Sequence, residues 1–342
     1  MKSKEDEKMN EFTNNAYLVV TDYVPANSGE DVSDKLQQLI EDNPNRTLFF
    51  PDGEYLISKP ILTPADPKKS VALKLATYAK IKAAPDWTSE EAMVRLGAEH
   101  PANDIYTCGS NYSLTGGIID GSGIASGISI DGGRETMVRD VSIKHTRIGL
   151  HIKFGANSGS SDCDIFGVNI IGNGKPDSIG VLLEGFDNTL TNMRIARVFK
   201  GVVLRSQGNS MRNIHPLYTC DYTDYTNSCG FYDESGSNWY NFCYSDHFGI
   251  GFHTNGNIAN IYDSCFTMWY CGKKDSHVAF DAEGEFNSVL TNFKVGFNNM
   301  DTENVVLRTG NDNGHGVIER LFVNQSLLTD DTFRKYLTGD IY

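Results

Sequence analysis

From residue 127 to residue 308 the chain repeats one short pattern, a glycine or its stand-in followed by apolar and polar positions in alternation. It reads Gly127-Ile-Ser-Ile-Asp131, Gly149-Leu-His-Ile-Lys153, Gly180-Val-Leu-Leu-Glu184 and Gly201-Val-Val-Leu-Arg205. It continues through Gly230-Phe-Tyr-Asp-Glu234, Gly251-Phe-His-Thr-Asn255, His277-Val-Ala-Phe-Asp281 and Asn304-Val-Val-Leu-Arg308. The starts step by 22, 31, 21, 29, 21, 26 and 27 residues. A second apolar-alternating segment precedes most of them, as in Val141-Ser-Ile143, Val168-Asn-Ile170, Met193-Arg-Ile195, Phe242-Cys-Tyr244 and Phe293-Lys-Val295. A period of 2 within each segment predicts strands. Recurrence every twenty to thirty residues predicts stacked coils that bury one continuous core, because no coil can bury its inner face alone. The fold class this gives is all-β: a single-domain parallel β-solenoid, with its insertions in the turns.

The flanks read as caps. Asp31 to Asp42 places Val32, Leu36, Leu39 and Ile40 on one helical face with acids in the first turn. A strand at Thr47-Leu-Phe-Phe50, a Pro51-Asp-Gly53 turn and Tyr55-Leu-Ile57 follow. The expected organisation is a flexible segment over 1–15, an N-terminal cap and first strands over 16–60, coils over 61–328 and a C-terminal cap over 329–342.

Composition adds exclusions. Thirty Lys and Arg against 44 Asp and Glu give 30 − 44 = −14 charges, which disfavours a nucleic-acid partner. No window approaches a membrane span. The polar stretch Met1 to Asn15 is no secretory signal, so a cytoplasmic location is expected, or a secreted one if a leader has been trimmed. The seven cysteines show no zinc spacing and read as buried thiols. No metal or other cofactor is expected.

Glu30 to Ile40 followed by Leu48-Phe-Phe-Pro-Asp-Gly-Glu-Tyr-Leu-Ile57 resembles the opening segment of the pectin-lyase-like right-handed parallel β-helix superfamily, nearest its polygalacturonase-related branch. The resemblance covers nearly the whole chain and implies a right-handed coil, an oligo- or polysaccharide partner and hydrolase, lyase or epimerase chemistry. Through the tailspike members it also allows a homotrimer packed coil against coil, and a non-catalytic glycan-binding role. The branch's catalytic set is missing: the Asp-Asp place before the Gly-led strands holds pairs such as Arg147-Ile148, Ser228-Cys229 and Gly249-Ile250, with one acid kept only at Asp275-Ser276 and Thr302-Glu303. Polygalacturonase activity itself is therefore not expected.

Alternation selects the outward side chains. One expected column is Ser129, His151, Leu182, Val203, Tyr232, His253, Ala279 and Val306. The other is Asp131, Lys153, Glu184, Arg205, Glu234, Asn255, Asp281 and Arg308. The second reads either as a solvated ladder of self-pairing charges or, by the resemblance, as the border of a substrate cleft. Glu234 and Asp281, two coils apart with Asn255 between, are the leading catalytic pair: about 9.6 Å of backbone separation approaches the carboxylate spacing of inverting glycosidases. Arg205 and Arg308 stand one coil from each. Asp233 breaks the alternation, so it marks a bulge, a locally satisfied buried carboxyl or a strained functional group. Asp233, Asp246 (beside His247) and Asp275 are reserve acids. A lyase would instead use His253, Arg205 and Tyr232. Residues 215–281 concentrate aromatic and acidic groups, Tyr232, Trp239, Tyr240, Tyr244 and Trp269 among them. That mixture suits a glycan site, with Tyr232, His253, Asn255, Trp269, Asp275, Arg205 and Arg308 as substrate contacts, or else core stacking.

Overall fold

Three strand segments alternate with three bends in each turn of the chain. In the computed structural model, which describes residues 17–97, 112–154, 160–220, 225–269, 276–297 and 303–342, one coil runs through Trp239–Asn241, Tyr244–Asp246 and Ile250–Thr254. The next runs through Ile261–Asp263, Phe266–Met268 and His277–Ala282. Every pairing between coils is parallel, and the third segments form a ten-stranded sheet from Ile61–Leu62 to Asn304–Thr309. The first and second segments form a continuous wall of 21 strands. The fold is a parallel β-helix, as the repeat implies, and right-handed, as the resemblance implies.

The register follows from what fills the bore. Ile128, Leu150, Val181, Val202, Phe231, Phe252, Phe280 and Leu307 lie in line through successive coils, all almost fully buried. Between the first and second segments the chain turns, in most coils, through one left-handed residue. Asp140, Asn192, Asn213, Phe242, Ser264 and Asn292 have φ of 51–56°, a conformation that asparagine and aspartate tolerate better than most residues. After the third segment a buried asparagine ladder closes the coil. The backbone N–H groups of Asn188, Asn209 and Asn238 donate to the side-chain oxygens of Asn209, Asn238 and Asn260 at 3.0, 2.9 and 2.8 Å. These bonds satisfy turn amides that no strand can reach.

The register corrects one expectation. Phe252 pairs with Phe280 and His253 with Asp281, so Asp281 continues the column of Tyr232 and His253 rather than that of Glu234 and Asn255. The glycine position is taken over by Ala279 and Val306, which lie in the core, and not by His277 and Asn304. Val278 and Val305, expected inside, instead join Cys229 and Ile250 in a separate buried cluster against Tyr232. Glu283 takes the place expected for Asp281, its N–H donating to Thr254 just as that of Asn255 donates to Asp233.

The helix Ser33–Asp42 covers one end, with Leu36, Leu39 and Ile40 buried. At the other end Phe333 and Tyr336 of a short 3-10 turn are buried, Tyr336 edge-on to Phe286 at 5.0 Å. Cys163, Cys220, Cys229, Cys243 and Cys265 are buried free thiols, while Cys108 and Cys271 lie outside the described residues. No described helix is long and apolar enough to cross a membrane.

Candidate functional site

The outward face of the ten-stranded sheet gathers most of the expected residues. Tyr232 and His253, from adjacent coils, stack with ring centroids 4.3 Å apart and planes 6° from parallel. Lys200 sits 3.5 Å above the Tyr232 ring on the side of the preceding coil. His253 Nδ1 is 2.7 Å from Asp281 Oδ2, and Arg308 Nε donates to Asp281 Oδ1 at 2.6 Å. That carboxylate therefore holds the ring proton on Nδ1 and leaves the lone pair on Nε2. Nε2 is buried and makes no hydrogen bond among the described residues; Glu283 Oε2 lies 3.9 Å away. Burial opposes charge on Asp281, but hydrogen bonds from His253 and Arg308 prevail and hold its pKa below the usual carboxylate range.

Beside this column runs a chain of ion pairs. His151 Nε2 lies 2.8 Å from Glu184, Arg205 reaches Glu184 at 3.2 Å and Glu234 at 2.8 Å, and Asn255 donates to the Glu234 carbonyl at 2.5 Å. The His151 hydrogen bond, ahead of opposing burial and the weaker pull of Arg205, lowers the Glu184 pKa. Glu234, Asn255 and Glu283 occupy one column, the two acids two coils apart and exposed at 38% and 73%. Glu234 and Asp281, by contrast, differ by two coils and by two residues along the strand, roughly 12 Å between backbones. Their side chains are also held by different arginines, so the structure does not bring this expected pair together.

Two candidates leave the face altogether. Asp233 is fully buried and points inward, where its carboxyl accepts hydrogen bonds from the N–H groups of Ser235 and Gly236, the Ser235 hydroxyl, Asn238 Nδ2 and Tyr240 Oη at 2.7–3.0 Å. Of the three explanations for its broken alternation, the locally satisfied carboxyl is the one observed. Trp269 is buried between His277 and Phe297, stacked at 4.9 and 5.2 Å, with Nε1 donating to the Phe248 carbonyl. Neither face is open to a sugar. Tyr218, Tyr240 and Phe248 are likewise core residues, whereas Trp239 is exposed. Asp275 lies outside the described residues.

Asp246 stands on the other side of the bend, in the second-segment row. It is bonded by His215 Nε2 at 3.3 Å and by His247 Nδ1, and His215 stacks on Tyr244 at 4.1 Å. Alternation would send Asp246 and His247 to opposite faces, but a φ of 63° at His247 breaks the strand and turns its ring back. Burial opposes ionisation of Asp246, yet the two imidazoles hold its pKa at about 2. A carboxylate depressed in the folded chain stabilises it above the unfolded value of about 3.8, and that stabilisation is lost as pH falls toward 2. The melting temperature should therefore fall across this window, and Asp246→Asn should flatten the fall; parallel curves for the two proteins would refute the assignment.

The positions that would carry a polygalacturonase-type acid pair are filled, in the observed register, by Ile179, Lys200, Cys229, Ile250, Val278 and Val305. The acid Glu303 falls outside that register. No group of three or more His, Cys, Asp or Glu suited to a metal occurs among the described residues.

No protein-family model and no curated protein sequence matches the chain. Its fold does match solved structures. The tailspike of Escherichia coli bacteriophage HK620 in complex with a pentasaccharide aligns with a TM-score of 0.67 at 11% identity over 96% of this chain and 64% of the tailspike. The Streptococcus pneumoniae surface protein and adhesin PfbA gives 0.62 at 11%, over 95% of both chains. The catalytic domain of a GH87 α-1,3-glucanase in complex with nigerose gives 0.59 at 12%, over 90% of this chain and 58% of the glucanase. The chain thus spans less than two thirds of the tailspike and the glucanase. At these identities the likeness establishes the parallel β-helix fold.

Proposed function

We propose that this chain processes a polysaccharide laid across the outer face of the ten-stranded sheet, and that the reaction is hydrolysis of a glycosidic bond between Glu234 and Glu283. The observation that carries this reading is their common column: two coils with Asn255 between place the backbones about 9.6 Å apart, near the carboxyl spacing that leaves room for a water in inverting glycosidases. Glu234, bonded to Arg205, is the base that activates the water. Glu283 is the acid that protonates the leaving oxygen; solvent reprotonates it and takes from Glu234 the proton drawn from water, while the His253 Nε2 lone pair, 3.9 Å away, faces the Glu283 carboxyl. Asp281 acts through His253 as a positioning residue, and Tyr232 lines the floor of the site. Glycan ligands in the tailspike and glucanase structures support the substrate class.

A second reading, a glycan-binding wall without chemistry, is favoured by the charges that already satisfy one another from His151 through Glu184 and Arg205 to Glu234. Incubation with a panel of oligo- and polysaccharides separates the two. New reducing ends without ultraviolet absorbance are the expected result. Absorbance from unsaturated uronides would replace hydrolysis by a lyase reaction with His253 as base. Silence in both channels with calorimetric binding would leave the binding wall.

A further inference from the structure

Most cations on the ten-stranded sheet are answered by acids, Lys200 over the Tyr232 ring being an exception. Arg95 and Lys153 meet Asp131, Arg205 meets Glu184 and Glu234, and Arg308 meets Asp281. The outer face of the second-segment row is different. Its register runs Lys82, Asp120, Lys144, Ile171 and Ala196 through successive coils, with Arg194 in the neighbouring column and Arg197 at the bend that follows. The acids there are already engaged, Glu54 by Lys80 and Lys82 at 3.5 and 3.2 Å and Asp120 by His145 at 3.0 Å. Lys144, Arg194 and Arg197 have no carboxylate within 4 Å among the described residues. The Arg194 guanidinium bonds the carbonyls of Met193 and Asn213. That of Arg197 lies over Gly174, where even a Cβ would come within 3.0 Å of it. A depression of about 730 Å³ opens along this row, lined by Lys82, Asp120, His145, Asn173 and Arg197 among others.

We infer that this row is an anion-binding track for an acidic polysaccharide, separate from the Glu234–Glu283 site and independent of whether that site is catalytic. In a chain of net charge −14, unanswered cations beside a groove form a local positive field against a repulsive background. Lys144 and Arg197 are two coils apart, and two coils on the other side of Lys144 the pair Lys80 and Lys82, sharing the one carboxylate of Glu54, leaves one net positive charge, so positive charge recurs about every 10 Å over roughly 19 Å. That spacing suits a polymer with sparse, repeated negative groups better than a single small anion. It also fits a glycan better than a nucleic-acid duplex, whose phosphates bring one charge per ~1.7 Å and would meet the repulsion of the rest of the chain.

The test is affinity electrophoresis of the full chain through gels holding polygalacturonate, chondroitin sulfate or dextran. Retardation by an acidic polymer and not by dextran is expected, weakened at 300 mM salt. The double variant Lys144→Ala/Arg197→Ala should bind about tenfold more weakly with its melting temperature unchanged. Lys335→Ala, a surface cation away from both sites, should bind as the parent does, and release of reducing ends is followed separately, which keeps this result distinct from the fate of the hydrolytic reading. Binding of polygalacturonate assigns carboxylates as the recognised groups, and binding of chondroitin sulfate alone assigns sulfates. Equal retardation by dextran, none by either acidic polymer, or full retention of affinity in the double variant would overturn the inference. So would tighter binding of a short DNA duplex, which would make the track a nucleic-acid surface.

Discussion

Glutamine at Glu234 or at Glu283 should lower turnover between about a hundredfold and ten-thousandfold, the range expected when a general acid or base is removed. The melting temperature should hardly move. Both side chains are solvent-facing, and the Glu234–Arg205 ion pair, with both partners more than a third exposed, stabilises the chain little. Asp281→Asn should behave differently: it leaves both reacting acids in place but releases the His253 ring, so its smaller loss should come with a changed pH–rate profile. This contrast separates the observed register from the one read in the sequence, where Asp281 itself was the partner of Glu234. Full activity in both glutamine variants would sink the pair. A total loss in Asp281→Asn together with normal turnover in Glu283→Gln would return the chemistry to Asp281 and His253.

The architecture was legible because a period of 2 interrupted by small residues admits few folds, and the recurring glycines located the third strand of most coils. The site was legible only in part, for three local reasons. At 277 and 304 the glycine is replaced, and aligning His277 and Asn304 with it slid the strand by two residues; in the observed register Ala279 and then Val306 stand in line with Gly251. At His247 a left-handed residue overrides alternation, which no hydrophobic pattern records. At Trp269 the sequence shows an aromatic ring but not the two rings that enclose it. The asparagine ladder, by contrast, was available: Asn188, Asn209, Asn238 and Asn260 recur at steps of 21, 29 and 22, each just ahead of a first strand. An amide repeated at the coil period outside the strands is the signal of a buried turn ladder.

Asp233→Ala is expected to be the most damaging single substitution in the coils for stability, and to act without touching the chemistry. Its carboxyl accepts the Tyr240 hydroxyl at 2.7 Å and gathers two turn amides, a serine hydroxyl and the ladder residue Asn238. Alanine would leave these donors inside a dry turn, each costing about 1–3 kcal/mol if it finds no other partner. Asn238 and Ser235 have alternative acceptors in the Ser206 carbonyl, so the total should stay near 3–5 kcal/mol rather than the full sum. A melting temperature lower by on the order of 10 °C is the expected reading. Tyr240→Phe, which removes a single donor and keeps the ring stacked on Tyr262 at 4.4 Å, should cost only about 1 kcal/mol. Turnover per folded molecule should survive both changes, because Asp233 faces the core and Glu234 faces solvent. Loss of turnover in Asp233→Ala at an unchanged melting temperature would contradict the structural role and put Asp233 back among the reacting acids.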